Sequence, residues 1–148
     1  MKPEVIFEFA SLIAIAGWVL LVIALLLRPG VARNALLFTA GRVAPLLLCL
    51  IYLVVLVSYW GSAPGGSFGS LEGVAQLFAP RGKLLGGWIH FLAFDLFVGR
   101  WIVDDIDRKG GARWSLILSV PLTFLFGPLG LLLHFALHGR GRQDQAAA

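Results

Sequence analysis

Long apolar runs separated by short polar connections make up most of the chain, and their lengths decide the reading. Four of them approach or exceed the roughly 18 residues that nominate a membrane-crossing helix; they cover about 5–27, 43–60, 84–103 and 114–137. The first ends at Arg28-Pro29-Gly30, a helix stop. Its leading residues Lys2, Glu4 and Glu8 are net negative and its apolar core runs on to Leu27, so a cleaved leader is not expected. The fourth run holds Pro121 and Gly127-Pro128-Leu129-Gly130, which predicts a kinked helix whose freed carbonyls need protein or cavity water at membrane depth. Between the second and third runs the chain is rich in Gly, Ser and Pro. There Leu71, Val74, Ala75, Leu77 and Phe78 approximate helical spacing and predict a short interfacial helix over 70–78. The polar tail 139–148 reads as disordered. The expected fold class is all-α integral membrane: one domain over 1–148, an antiparallel bundle of four transmembrane helices with a short interfacial helix.

Composition agrees. The chain is 59% hydrophobic and 14% charged, with a mean hydropathy of +0.88, where a soluble domain carries about a quarter charged residues. Too little chain lies outside the apolar runs to build a second, soluble core, which excludes the common soluble enzyme folds. The net charge of +4 comes from Lys and Arg flanking the runs, the usual place for topology charge, so no nucleic-acid partner is expected. Cys49 stands alone, and neither a disulfide nor a Cys-rich metal site can form within one chain. With four spans, Arg28, Arg33, Arg42, Arg108, Lys109 and Arg113 share one side and outnumber the Lys and Arg of the other. This bias puts both termini on the outer side, here of a bacterial plasma membrane.

Polar residues inside the runs are where function is sought, because a charge at bilayer depth is costly unless paired or part of a site. Asp95 lies near the middle of the third run, out of reach of water, and suits a proton donor or acceptor; the bland alternative is a hydrogen bond to Tyr52 or Thr123, both near midspan. At about 100° per residue, His90, Phe94, Phe97, Trp101 and Asp104 share one helix stripe within about 80°. Asp95 falls about 140° from His90, with Trp88 on its own side. The stripe is either ordinary packing or an aromatic ligand groove. Depth counting places His90, His134, Glu8 and Glu72 near one membrane surface, as an acid/base pocket. His134 and His138 stand one turn apart, but no third ligand has motif spacing, so no metal and no cofactor are expected. Toward the other surface, Arg100 to Arg113 mixes signs: Arg100 and Asp104 form an i, i+4 pair, and the group reads as a solvated ion cluster, with anionic headgroup binding as the alternative.

Gly87-Trp88-Ile89-His90, Phe94-Asp95-Leu96-Phe97-Val98-Gly99-Arg100 and Phe126-Gly127-Pro128-Leu129-Gly130 with His134-Phe135 together resemble the neoxanthin-synthase-like membrane family, named for a plant abscisic-acid-deficiency protein and including many bacterial members. The resemblance covers the second half of the chain, with a looser match over 71–78. It implies conversion of violaxanthin to neoxanthin, an isomerisation that opens an epoxide and forms an allene without a redox cofactor. On that basis Asp95, His90 and His134 are the expected acid/base residues, and Trp88, Phe94, Phe97, Trp101, Arg100, Tyr52 and Glu72 the expected substrate-binding ones. The expected partners are a carotenoid or other isoprenoid and membrane lipid, with a homo-oligomer left open. Three functions compete: a carotenoid or isoprenoid isomerase, a non-enzymatic pigment- or lipid-binding subunit using the same groove, and a proton or ion conductor centred on Asp95.

Overall fold

Helix α1 (Pro3–Leu26) starts with Pro3 in its first turn and Glu4 beside it, where a missing backbone donor costs nothing and a negative charge faces the positive helix end. In this computed structural model, which describes residues 2–138, the chain continues through α2 (Val31–Phe38), a π-helical turn (Thr39–Val43), α3 (Ala44–Ser58), α4 (Leu71–Phe78), α5 (Arg81–Lys109) and α6 (Trp114–His138). No strand occurs among the described residues. The tail expected to be disordered lies outside them.

α2, the π turn and α3 form one continuous helix, Val31–Ser58. The second apolar run therefore enters its helix a dozen residues earlier than hydropathy alone suggested. The interfacial helix is present as α4, and the Ser70 hydroxyl caps it by accepting a 3.0 Å bond from the Gly73 N–H. α5 is longer than its apolar run, at 29 residues or about 43 Å, and stops at Gly110, whose φ of 65° is the left-handed turn that glycine accepts.

α5 is the central element. Gly17 of α1 admits the Leu96 side chain and Gly99 admits the Trp18 ring, so small residues set the close approach of α1 and α5. Two apolar clusters follow: one joins Trp18, Leu37, Leu96, Ile102 and Val120, the other Ala14, Leu48, Val55 and Ile89.

Two polar rims mark opposite ends of the bundle. At the first face, Arg81 pairs with Glu4 at 3.1 Å. At the second face, Arg33 pairs with Asp107 at 2.7 Å and donates Nε to the Ala24 carbonyl at 3.2 Å, while Arg113 reaches the Leu25 carbonyl at 3.3 Å.

The fourth run departs from the expected kinked span. By length and hydropathy Trp114–His138 suffices to cross a membrane, as do Pro3–Leu26 and Val31–Ser58. Its path turns back on itself. Phe126 leaves helical geometry at φ −147°, ψ 67°, and the chain folds back so that His138 Nε2 lies 3.4 Å from Ser115 Oγ. Gly130 packs directly on Thr123, closing the two arms against each other. Each arm, 114–125 and 127–138, has about 18 Å of helix, roughly half of what the hydrocarbon core requires. α6 is a folded-back hairpin with its ends at the second face, and Pro128 occupies an early position of its returning arm, where a missing N–H is harmless.

This corrects one expectation. The bundle has three helices that run from face to face, α1, Val31–Ser58 and α5, plus a hairpin, in place of four spans. Of the described residues, Glu4 is at the first face and His138 at the second. A reporter fused before Pro3 and one fused after His138 should therefore report opposite sides of the membrane; the same side for both would restore four crossings.

Candidate functional site

The aromatic stripe read from the sequence lines a row of grooves between α3 and α5, here called the seam, whose upper and lower parts meet at the stacked His90 and Phe94 rings. At the first face, His90 opens into a cavity of about 620 Å³ bounded by Tyr52, Trp60, Phe68, Phe78 and Lys83. The loop before α4 and α4 itself roof it, with Gly66 seated on the Leu77 backbone. The His90 ring lies 5.9 Å from that of Tyr52 and stacks on Phe94 at 4.5 Å. Phe94 and Phe97 then line a groove of about 400 Å³ with Pro45, Leu46 and Cys49. Gly41, Arg42 and Phe97 carry it on into a polar pocket of about 450 Å³ bounded by Asn34, Arg100, Trp101, Asp104 and Arg108. From His90 to Arg108 the seam follows about 27 Å of helix.

Trp88 and Glu72 stand apart from the seam. Trp88 packs on Phe7 and Phe91 at 6.1 and 5.6 Å and lines a second, more open groove of about 820 Å³ between α1 and α5, with Glu8 and Arg81 at its edge. Glu72 is exposed on α4 and accepts a bond from Gln76. Arg100 is at the polar end, with Nε donating to the Leu37 carbonyl at 3.0 Å and Nη1 paired with Asp104.

Asp95 faces away from the seam. It is 8% exposed, and the hairpin tip sits on it: a Cβ on Gly127 would overlap its carboxylate. Its Oδ2 has no hydrogen-bond partner among the described residues, and neither Tyr52 nor Thr123 supplies one, since the Thr123 hydroxyl donates to the Ser119 carbonyl at 2.7 Å. The carboxylate lies where the returning arm of α6 begins, at the positive end of a half-helix.

His134 is at the second face, because the hairpin brings it back there, and the expected grouping with His90, Glu8 and Glu72 does not form. It is buried, and its Nε2 lies 3.0 Å from Asp105 Oδ2. Lys109 Nζ donates to the same oxygen at 2.7 Å. The Trp101 ring covers His134 edge-on at 5.5 Å and separates it from the polar pocket. His138 stacks on His134 at 5.1 Å, and no cluster of three or more metal-ligating side chains occurs among the described residues. Along α5, His90, Asp95 and the Asp105 that holds His134 lie at three levels about 8 and 15 Å apart, and only His90 opens on the seam.

Two residues outside the sequence expectation matter here. Asp105 was grouped with the solvated ion cluster, yet it is 6% exposed; the signal was its i, i+4 spacing to Lys109, on a face about 100° from Asp104. Arg42 was counted only as topology charge, although it lines both lower parts of the seam.

The fold and these grooves define a helical protein with apolar helices long enough to cross a membrane, an aromatic seam and a folded-back hairpin. The chain belongs to the ABA DEFICIENT 4-like family, whose model matches residues 5–134. It is similar to Protein ABA DEFICIENT 4, chloroplastic, of Arabidopsis thaliana, with 36% identity over 66 residues; that segment is 44% of this chain and 28% of the plant protein. The match thus spans little more than a quarter of the relative's length. No solved structure matches the chain.

Proposed function

We propose that the protein binds a carotenoid or similarly long isoprenoid along the α3/α5 seam and isomerises it at the His90 end. The observation that carries this reading is the row of His90, Phe94, Phe97 and Trp101 on one face of α5, whose grooves follow one another over about 27 Å of helix, close to the roughly 30 Å of hydrocarbon that a C40 polyene matches, with polar groups at both ends. Phe94 and Phe97 offer ring faces to a conjugated chain. The cavity holding His90, Tyr52 and Lys83 receives an oxygenated end group.

The chemistry suited to that end is the epoxide-to-allene isomerisation that the family resemblance implies. The epoxide C–O bond breaks as its oxygen takes a proton and becomes a hydroxyl. A chain carbon gives up a proton, and the electron pair of that C–H bond becomes the new π bond. One proton is gained and one lost, so no oxidant or reductant enters. We assign the transfers to His90 and Tyr52, which share the cavity, and give Asp95 and His134 the task of seating the hairpin. The membrane is taken to be a bacterial plasma membrane. Arg28, Arg33, Arg108, Lys109 and Arg113 lie toward the second face against Lys2, Arg81 and Lys83 toward the first, which makes the second face cytoplasmic.

The test is gentle purification, an absorption spectrum and turnover of the extracted polyene. A three-banded visible spectrum is expected, with Phe97→Ala losing bound pigment. His90→Ala should retain pigment and lose about 10²-fold or more in turnover, the usual contribution of a positioned acid or base. Retention of pigment by every variant without any conversion would favour the binding subunit; failure to bind any offered carotenoid would overturn the reading. A proton leak in liposomes requiring Asp95 would favour the conductor.

A further inference from the structure

We propose that the polar pocket at the second-face end of the seam is a phospholipid headgroup site, binding the phosphate of an anionic lipid through Arg42, Arg100 and Arg108. The inference goes beyond the isomerase reading and is independent of it: a lipid seated here takes the lower groove that a full-length polyene would also use, so the two are alternative occupants of the lower seam.

The pocket's charge is unbalanced. Its walls carry Arg42, Arg100 and Arg108 against a single carboxylate, Asp104, which Arg100 already takes. Arg108 stands 3.9 Å from Asp105 Oδ1, but that carboxylate is shared with Lys109 and His134. Arg42 has no carboxylate partner among the described residues. It sits within the π turn, 11 residues into the continuous helix Val31–Ser58, at a depth where an unneutralised guanidinium is costly.

The helix is shaped around these cations. In the π turn the Ala44 N–H bonds to the Thr39 carbonyl, five residues back, a distortion that recurs at functional sites. Gly41, in the same turn, leaves room for the Arg100 stem, which packs where a side chain would be. Arg100 Nε then donates to the Leu37 carbonyl, which fixes the guanidinium at the pocket wall. Arg42 is held over the Phe38 ring at 5.7 Å. The Asn34 side chain adds a hydrogen-bonding amide at the rim.

A soluble anion would use the cationic half alone. The pocket opens without a break into the apolar groove of Pro45, Leu46 and Cys49, with Gly41, Arg42 and Phe97 common to both. That pairing of a guanidinium cluster with an adjoining apolar lane matches a phosphate carrying acyl chains.

The experiment is native mass spectrometry of the full chain in detergent with equimolar phosphatidylglycerol and phosphatidylcholine, alongside thermal unfolding with phosphatidylglycerol or inorganic phosphate. The wild type should retain phosphatidylglycerol preferentially and be stabilised by it, with no stabilisation by inorganic phosphate. Arg42→Gln and Arg108→Gln alter exposed side chains and should unfold like the wild type without lipid. Each should lose about fivefold in lipid preference, the effect of one basic residue at an anionic surface. Arg28→Gln, on the same face but outside the pocket, should leave the preference unchanged. Equal retention of both lipids, unchanged preference in both pocket variants, an equal loss in Arg28→Gln, or equal stabilisation by inorganic phosphate would each overturn the proposal.

Discussion

Gly127→Ala is expected to destabilise the protein in detergent by about 1–3 kcal/mol, the range for forcing extra volume into a packed interior. The added Cβ would occupy the space of the Asp95 carboxylate. Neither side yields easily. Gly127 is the first residue after the non-helical Phe126, so its position is tied to the turn of the hairpin. Asp95 is held on the central helix beside Leu96, which is fully buried against α1. The hairpin tip should lift, carrying Phe124 off Trp18, whose rings meet edge-to-face at 5.4 Å. A double-mutant cycle separates this contact from a general glycine effect. Asp95→Ala removes the carboxylate that the new methyl would strike, so in that background Gly127→Ala should cost much less, with a coupling of about 1 kcal/mol or more. Thermal unfolding of the four proteins measures it. Strict additivity would show that the tip does not rest on Asp95.

Much of the helical framework was legible because hydrophobic runs and stop signals are local. Arg28-Pro29-Gly30 ends the first helix, Ser70 starts the interfacial one, and the His90–Phe94–Phe97–Trp101 stripe lines a groove because a helix of regular period must place those side chains on one face. The path of the fourth run was not legible. Its 25 residues are apolar enough to cross, and hydropathy is the same for a helix that crosses as for one that turns back. The relevant signal was Gly127-Pro128 near the middle, leaving two arms each too short to span; Pro and Gly at midspan also occur in helices that merely kink. The error then spread to the site. With four crossings His134 falls at the His90 face; with a hairpin it returns to Asp105. The start of the second helix was misplaced for a different reason: Asn34, Thr39 and Arg42 lower the local hydropathy, although the backbone stays helical through them.

Asp105→Ala should cost more than Asp104→Ala, although the residues are adjacent and carry the same charge. A helix places neighbours about 100° apart, which here is the difference between protein interior and rim. The Asp104 side chain is 43% exposed and pairs with Arg100 one turn back; such a pair contributes at most about 1 kcal/mol. Asp105 is the anchor of the returning arm. Its Oδ2 binds His134 at 3.0 Å and Lys109 at 2.7 Å. Lys109 can turn to water when the carboxylate is removed, since 57% of its side chain is exposed. His134 cannot, at 1%, and its Nδ1 already has no partner among the described residues. Stranding a buried donor costs about 1–3 kcal/mol, and the expectation for Asp105→Ala lies in the upper half of that range. The loss should be local before it is global. Amide exchange should accelerate first in 127–138, where the arm's polar attachment to α5 is gone, while α1 and α3 stay protected. His134→Phe tests the same link from the other side: it fills the buried volume without needing the carboxylate, so adding Asp105→Ala to it should cost far less than adding it to the wild type. Equal exchange rates throughout the chain, or a larger cost at Asp104, would place the hairpin's anchor elsewhere.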